Sequence, residues 1–344
     1  MAITIQDQPT TVLVRPCFAP IDLLLTSTNT TEDGFKIVCK IYIATGSTLI
    51  STQQIDVIPS TTQAVFSIQD VVKSYVTSSY SIIDGDTVDV EETVLTDFEV
   101  TFQEYYDDAL QGSVVTSNTF SSWYASPTYV QFAANNWQDW QVTTGDIDKE
   151  FLNAYSNQAA KWFGFDQNDP FLKVKDDQKY QISWLDKFSG VDANFQIWVK
   201  VMDDTYTNIQ TTFIDLGAVN VGQFALDVGV GELASHTWDT AFTMTNVKYY
   251  ALRLFDESTV DFCSDAILFE VDSCGTGYTP YELHWLNSKG GYDSMVFDGK
   301  STDRTNISKT YAKYNNSKIN GSVLEYKTSN QRTRPFHTGL TETF

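Results

Sequence analysis

The chain has 344 residues and a formal net charge of −22, with 42% hydrophobic and 14% aromatic residues. That length suits two domains, at roughly 100–200 residues each, and that much apolar content excludes a chain disordered throughout. The acidic balance excludes general nucleic-acid binding, which needs clustered Lys and Arg against phosphate.

The charge is not spread evenly. Residues 1–299 carry 14 Lys/Arg against 41 Asp/Glu, and residues 300–344 carry 8 against 3. An acidic body of −27 therefore bears a basic tail of +5, a pattern of assembly more than of catalysis. Abundant Thr, Ser, Val, Ile, Tyr and Phe suit half-buried pleated surfaces, and the composition predicts an all-β protein. The first residues lack the basic region and apolar core of a signal peptide, and no window has the apolar length of a membrane span. The expectation is a soluble protein made in a reducing cytoplasm. Cys17, Cys39, Cys263 and Cys274 match neither a zinc site nor a dense disulfide framework, and read as free buried thiols.

In chain order, 11–15 reads as a short strand. Over 35–44, Phe35, Ile37, Cys39, Ile41 and Ile43 share one face under period-two alternation, and 48–57 returns as the hairpin partner. Residues 67–78 repeat apolar positions at helical spacing with Ser67 as a candidate N-cap, predicting one short helix. The stretch 94–105 is a strand with Phe98, Val100 and Phe102 on one face. These elements suggest a small β-sandwich over 1–106.

The following segment is rich in tryptophan (Trp123, Trp137, Trp140, Trp162) and has no sustained period. Strands resume at 180–185, 195–202, 209–216, 224–228, 248–255 and 266–272, the spacing of a second β-sandwich or jelly roll over 107–280. Residues 281–344 read as a hairpin motif followed by an extended basic arm, whose candidate contact residues are Lys300, Arg304, Lys309, Lys313, Arg332 and Arg334.

Catalytic patterns are weak. The acidic pairs Asp84/Asp86, Asp107/Asp108, Asp146/Asp148 and Asp203/Asp204 fall in predicted turns, where Asp bonds the local backbone. Asp166–Asp169 has half the spacing of a calcium loop without its other oxygen ligands. His236, His284 and His337 accompany no nucleophile elbow, and no phosphate-binding glycine loop is present. No enzyme, cofactor or metal site is expected. A flat indole can stack on a sugar, so Trp123, Trp137 and Trp140 form the one candidate glycan platform. Core packing or subunit contact is the commoner role of such residues.

The segment 281–297 reads Tyr-Glu-Leu-His-Trp-Leu-Asn-Ser-Lys-Gly-Gly-Tyr-Asp-Ser-Met-Val-Phe. Leu283, Trp285, Gly290, Gly291, Tyr292, Asp293 and Phe297 resemble the corresponding element of a family of virion proteins in tailed phages of Bacteroidetes hosts, crAss-like phages included. The strand pair around 34–43, the stretch 65–75, Phe102–Tyr106 and Cys274 are similar to upstream parts of that family. The chain departs from the family at Asn287-Ser288-Lys289, where an apolar residue is commoner before the glycines, and at Met295, which replaces an aromatic. The resemblance implies a structural role in a neck, tail or fibre, with copies of itself and other virion proteins as partners and a virion location after assembly in the host cytoplasm. It implies no catalytic residue. A receptor-binding tail protein contacting a host surface glycan is the alternative. For the hairpin itself, Gly290-Gly291 suits a turn with positive φ, and Tyr281, Leu283 and Trp285 are expected to anchor it on the second sandwich, making it a post from which the arm departs.

Overall fold

The computed structural model describes residues 3–11, 13–44, 47–58, 61–78, 89–91, 94–142, 146, 148–153, 172–176, 178–186, 194–218, 222–236, 243–257, 259–273, 281–297, 304–314 and 322–333. The chain forms two compact units: Met1–Asp272 with His284–Ser294, and Ser273–Leu283 with Met295–Phe344.

The first unit begins with β1 (Ile3–Asp7), β2 (Arg15–Pro16), β3 (Asp22–Ser27), β4 (Lys36–Ile43), β5 (Thr48–Ile55) and β6 (Gln63–Ser67). Helix α1 (Gln69–Val72), β7 (Asp89–Glu91), β8 (Thr96–Tyr106), β9 (Ala109–Thr116) and β10 (Phe120–Trp123) follow. One sheet has the order β1-β3-β6; the other has the order β2-β10-β8-β4-β5, with β9 added on β8. Alternation does the work here. Ile37, Cys39 and Ile41 of β4 and Phe98, Val100 and Phe102 of β8 are fully buried against Leu23, Leu25, Ala64 and Phe66 of the facing sheet. Burying each such side chain stabilises by about 1.5–3 kcal/mol. Glu104 is also buried, and accepts hydrogen bonds from Ser27 Oγ (2.5 Å) and Asn29 Nδ2 (2.9 Å) of the facing layer.

The first sandwich does not end at Tyr106. Asp107 and Asp108 both take positive φ, the geometry of a two-residue type I′ turn, and β9 and β10 extend the sheet to Trp123. Among the described residues of the expected strand 11–15, only Arg15 is in a strand, with Arg15–Pro16 pairing in parallel with β10. The predicted helix shrinks to one turn. Ser67 does not cap it, because Ser67 is the last residue of β6 and its hydroxyl donates to Asp22.

After β10 come helix α2 (Tyr129–Ala133) and a 3-10 turn over Asn136–Trp140. The second sandwich is built from β11 (Leu172–Lys175), β12 (Gln181–Asp186), β13 (Asn194–Met202), β14 (Asn208–Ala218), β15 (Gly222–Asp227), helix α3 (Val230–Leu233), β16 (Tyr249–Asp256) and β17 (Asp261–Asp272). Its five-stranded sheet runs β11-β17-β16-β13-β14, and its three-stranded sheet runs β12-β15-β7. All six strands expected in this region are present, but β7 joins from far upstream. The core between the layers includes Trp184 stacked on Phe224 at 5.4 Å and Tyr250 stacked on Phe269 at 4.5 Å.

The chain continues as β18 (Tyr281–Leu286) and β19 (Tyr292–Phe297), which form a two-stranded sheet. In the second unit, β20 (Arg304–Tyr314) and β21 (Ser322–Thr333) pair antiparallel from Arg304↔Thr333 to Tyr314↔Ser322. What composition suggested as an extended arm is, where described, a hairpin. The protein is all-β with two β-sandwiches. Among the described residues, no helix is long and apolar enough to cross a membrane.

Candidate functional site

The segment joining the two sandwiches is a small third core. Val14, Trp123, Ala125, Trp137, Trp140, Leu152 and Leu185 are buried together. The 3-10 turn places Trp137 and Trp140 inward, and the Arg15 guanidinium lies 4.9 Å from the centre of the Trp137 ring. Gln141 bridges the two sandwiches: its side-chain oxygen accepts from Val14 N (2.9 Å), and it pairs with Leu185 of β12. Helix α2 leads in, capped by Thr128 and Gln131 in a reciprocal capping box.

The closed end of the β18–β19 hairpin, Asn287–Gly291, is seated against this core. Asn287 makes the turn: its backbone N–H donates to Gly291 O (2.9 Å), and its side-chain oxygen accepts from Lys289 N (2.9 Å) and Gly291 N (3.2 Å). On the side of the first sandwich, Trp123 Nε1 donates to Lys289 O (3.0 Å) and Ser126 N donates to Ser288 O (2.8 Å). Across the seat, Gln223 of β15 donates to Gly290 O (3.0 Å), and Asn287 Nδ2 donates to Leu152 O (2.7 Å).

Both glycines are required by space. Gly290 has φ +87°, and a Cβ there would lie 2.3 Å from Tyr124 O and 3.0 Å from Trp123 Nε1. A Cβ on Gly291 would lie 2.6 Å from Leu152 O and 2.6 Å from Ser183 Oγ. Backbone approaches this close are open only to glycine.

Lys289 is the unexpected member. It is 6% exposed. Its ammonium donates to Glu150 Oε2 (2.6 Å), Asn153 O (3.2 Å) and Phe151 O (3.3 Å), so its three protons meet three acceptors. A buried ammonium is tolerable only with such pairing, and removing one partner of a buried pair costs about 3–5 kcal/mol. Asn153 completes the seat, donating to Gln181 O (2.8 Å) and Tyr292 O (3.0 Å) and accepting from Ser183 N (2.9 Å). Asp293 accepts from Asn287 Nδ2 (3.0 Å), and Ser294 donates to Lys179 O (3.2 Å).

Of the residues that carry the resemblance, Gly290, Gly291 and Asp293 are buried, and Tyr292 and Phe297 are half-buried. Leu283 and Trp285 are 52% and 36% exposed. Of the expected anchors, Trp285 is thus not buried and Tyr281 is half-buried; the turn between the strands is what is seated. The glycan platform also fails, since Trp123, Trp137 and Trp140 are 0–1% exposed and offer no ring face to a sugar. Arg304, Lys309 and Lys313 lie on β20 and Arg332 on β21; Lys300 and Arg334 lie outside the described residues. Trp162, Asp84, Asp86, Asp166–Asp169, His337 and Cys274 also lie outside them.

Other candidates resolve into structural roles. Asp203 closes a turn, and the hydrogen bond from the Thr205 hydroxyl, then those from Thr207 N and Thr205 N, hold its carboxyl below the usual range. Asp227 is fully buried, and desolvation raises its carboxyl to about 6. Its Oδ1 accepts from Tyr180 N (3.0 Å) and Gly229 N (2.9 Å), while its backbone oxygen meets His236 Nε2 at 2.6 Å. His236 is thus a buried strand-end contact, and His284 is half-buried on β18. Cys17, Cys39 and Cys263 are free and buried, with burial raising the first two thiols to about 11 and 12. Among the described residues, no three His, Cys, Asp or Glu side chains group as a metal site.

Glu150, Asn153 and Gln223 were not singled out by sequence, and Lys289 was noted only as standing where an apolar residue is commoner. Nothing local pairs Lys289 with Glu150, which lies 139 residues away. The Asn-Ser-Lys-Gly-Gly run carried the signal for the turn, and Thr128-x-x-Gln131 carried one for α2. No family model matches the chain, and no curated protein matches it.

Proposed function

We propose that this chain is a non-enzymatic structural protein of a tailed-phage virion, a ring or connector subunit of the neck or tail. The observation that carries the reading is the use made of the segment with the family resemblance. Its turn over 287–291 ties the first sandwich to β15 and the 150–153 strip through hydrogen bonds to its peptide groups and one ion pair. A connector subunit needs two domains held as one rigid body, and this turn supplies that. The same segment leads into a tail whose +5 charge opposes the −27 of the body, a complementarity that steers encounter and fixes register between copies. Closure into a ring requires a head-to-tail interface of this unlike-surface kind.

Deleting residues 300–344 tests the reading. The full chain is expected to form closed oligomers by light scattering and to enter particles, and the deletion is expected to do neither. A truncated chain that assembles normally would contradict it.

A further inference from the structure

The sheets of the first unit end in strands that are guarded to different degrees. Exposed edges are normally blunted by brevity, charge, proline or irregular register. Strand β2 has two residues and β6 five; β7 is short and acidic; β11 carries Lys173 and Lys175. Strand β1 is irregular near Asp7, β14 is irregular at both ends, and β9 contains Gly112 at φ +68°.

Strand β5 lacks the guards of brevity, charge and proline, and its register is broken at one place only. Thr48-Leu49-Ile50-Ser51-Thr52-Gln53-Gln54-Ile55 holds no charge and no proline. Its register with β4 runs unbroken from Ile37↔Ile55 to Ile41↔Ser51, with one irregularity towards the turn. Among the described residues, β4 is its one neighbour, and no other hydrogen bond reaches it. The β20–β21 hairpin has the converse deficiency, since a two-stranded sheet alone is marginal in water and gains from a third strand.

We infer that the outer edge of β5 accepts the β20–β21 hairpin of a second copy, continuing the sheet by strand addition. The inference rests on the ring-subunit reading and names the surface that reading leaves open. Charge selects the occupant. Residues 304–333 carry six Lys/Arg and one Glu, while exposed Asp56 follows β5 and exposed Glu32 and Asp33 lie in the turn before β4. Pairing β5 with another β5 would instead bring two acidic bodies together. Length agrees: β20 and β21, at 11 and 12 residues, each cover the eight of β5.

The test compares the full chain with T52K/Q54K and T52E/Q54E, both pairs at exposed positions. Edge lysines are expected to weaken self-association at least about tenfold, with the unfolding midpoint unchanged; edge glutamates are expected to leave assembly in place. Zero-length cross-linking of mixed ¹⁴N and ¹⁵N chains is expected to join Lys309, Lys313 or Lys327 of one isotope to Glu32, Asp33 or Asp56 of the other. Unimpaired assembly of T52K/Q54K, equal loss in both variants, or cross-links confined to single chains would overturn the inference. If T52K/Q54K assembles while deletion of 300–344 does not, the role of the tail stands and the β5 docking falls.

Discussion

The closed end of the β18–β19 hairpin, with the buried Asp293 and Ser294 beside it, and the residues further along its strands are covered in opposite ways. Along the strands, Leu283, Trp285 and Met295 keep 36–52% of their surface exposed. At the closed end, the polar and flexible run Asn287-Ser288-Lys289-Gly290-Gly291 includes three buried residues, Lys289, Gly290 and Gly291. Burial there follows from fit, with peptide groups and one ammonium meeting donors and acceptors already in place, and not from hydrophobicity. A hydrophobic anchor tolerates neighbours of similar size. A backbone anchor tolerates no added atom.

Gly290→Ala is therefore expected to be the most damaging change. A Cβ 2.3 Å from Tyr124 O at a positive φ cannot be accommodated without unseating the turn, and the loss should exceed about 4 kcal/mol in denaturant unfolding. Lys289→Ala should cost about 3 kcal/mol, because it leaves Glu150 and two carbonyls buried without their donor. If Gly290→Ala cost no more than an ordinary surface change, the contrast between the two ends would collapse.

A third effect lies outside the hairpin and depends on pH. Asp227 titrates at about 6 in the fold against 3.8 unfolded, raised mainly by desolvation, and Asp265 is likewise raised to about 6. The native state then binds more protons between about pH 4 and 6, so these two groups reduce stability as pH rises through that window. Asp227→Asn should be more stable than the parent chain above pH 6 by up to about 3 kcal/mol, at 1.36 per pH unit, with the gap closing near pH 4. A gap that stayed constant across pH would refute it. The smallest effect belongs to the exposed strand face: Leu283→Ser and Trp285→Ser should shift stability by no more than about 0.5 kcal/mol.

The two ends of the hairpin also show what was legible in the sequence. Strands β4 and β8 were readable because their alternation is local and one face is buried; β12, β15 and β16, buried on both faces, were readable as short β-branched and aromatic runs between turns. Phe98, Val100 and Phe102 announce themselves. Strands β7 and β11 were not, since three or four residues carry no period and take their place from distant partners. The double glycine announced a turn, but its seat is made of Tyr124 O, Leu152 O and Ser183 Oγ, which no local pattern encodes. Trp123, Trp137 and Trp140 pointed to a site and are core, because an irregular segment between two sheets needs large side chains to fill the space.

Hydrogen exchange at the turn decides whether it is a permanent fastening. The N–H groups of Lys289, Gly290 and Gly291 are bonded to Asn287, and that of Ser126 to Ser288 O. If the turn holds the two sandwiches together, these amides exchange only with global unfolding, at the same free energy as the amides of β8 and β13. Exchange at the rate of an exposed loop, with β8 and β13 still protected, would contradict it.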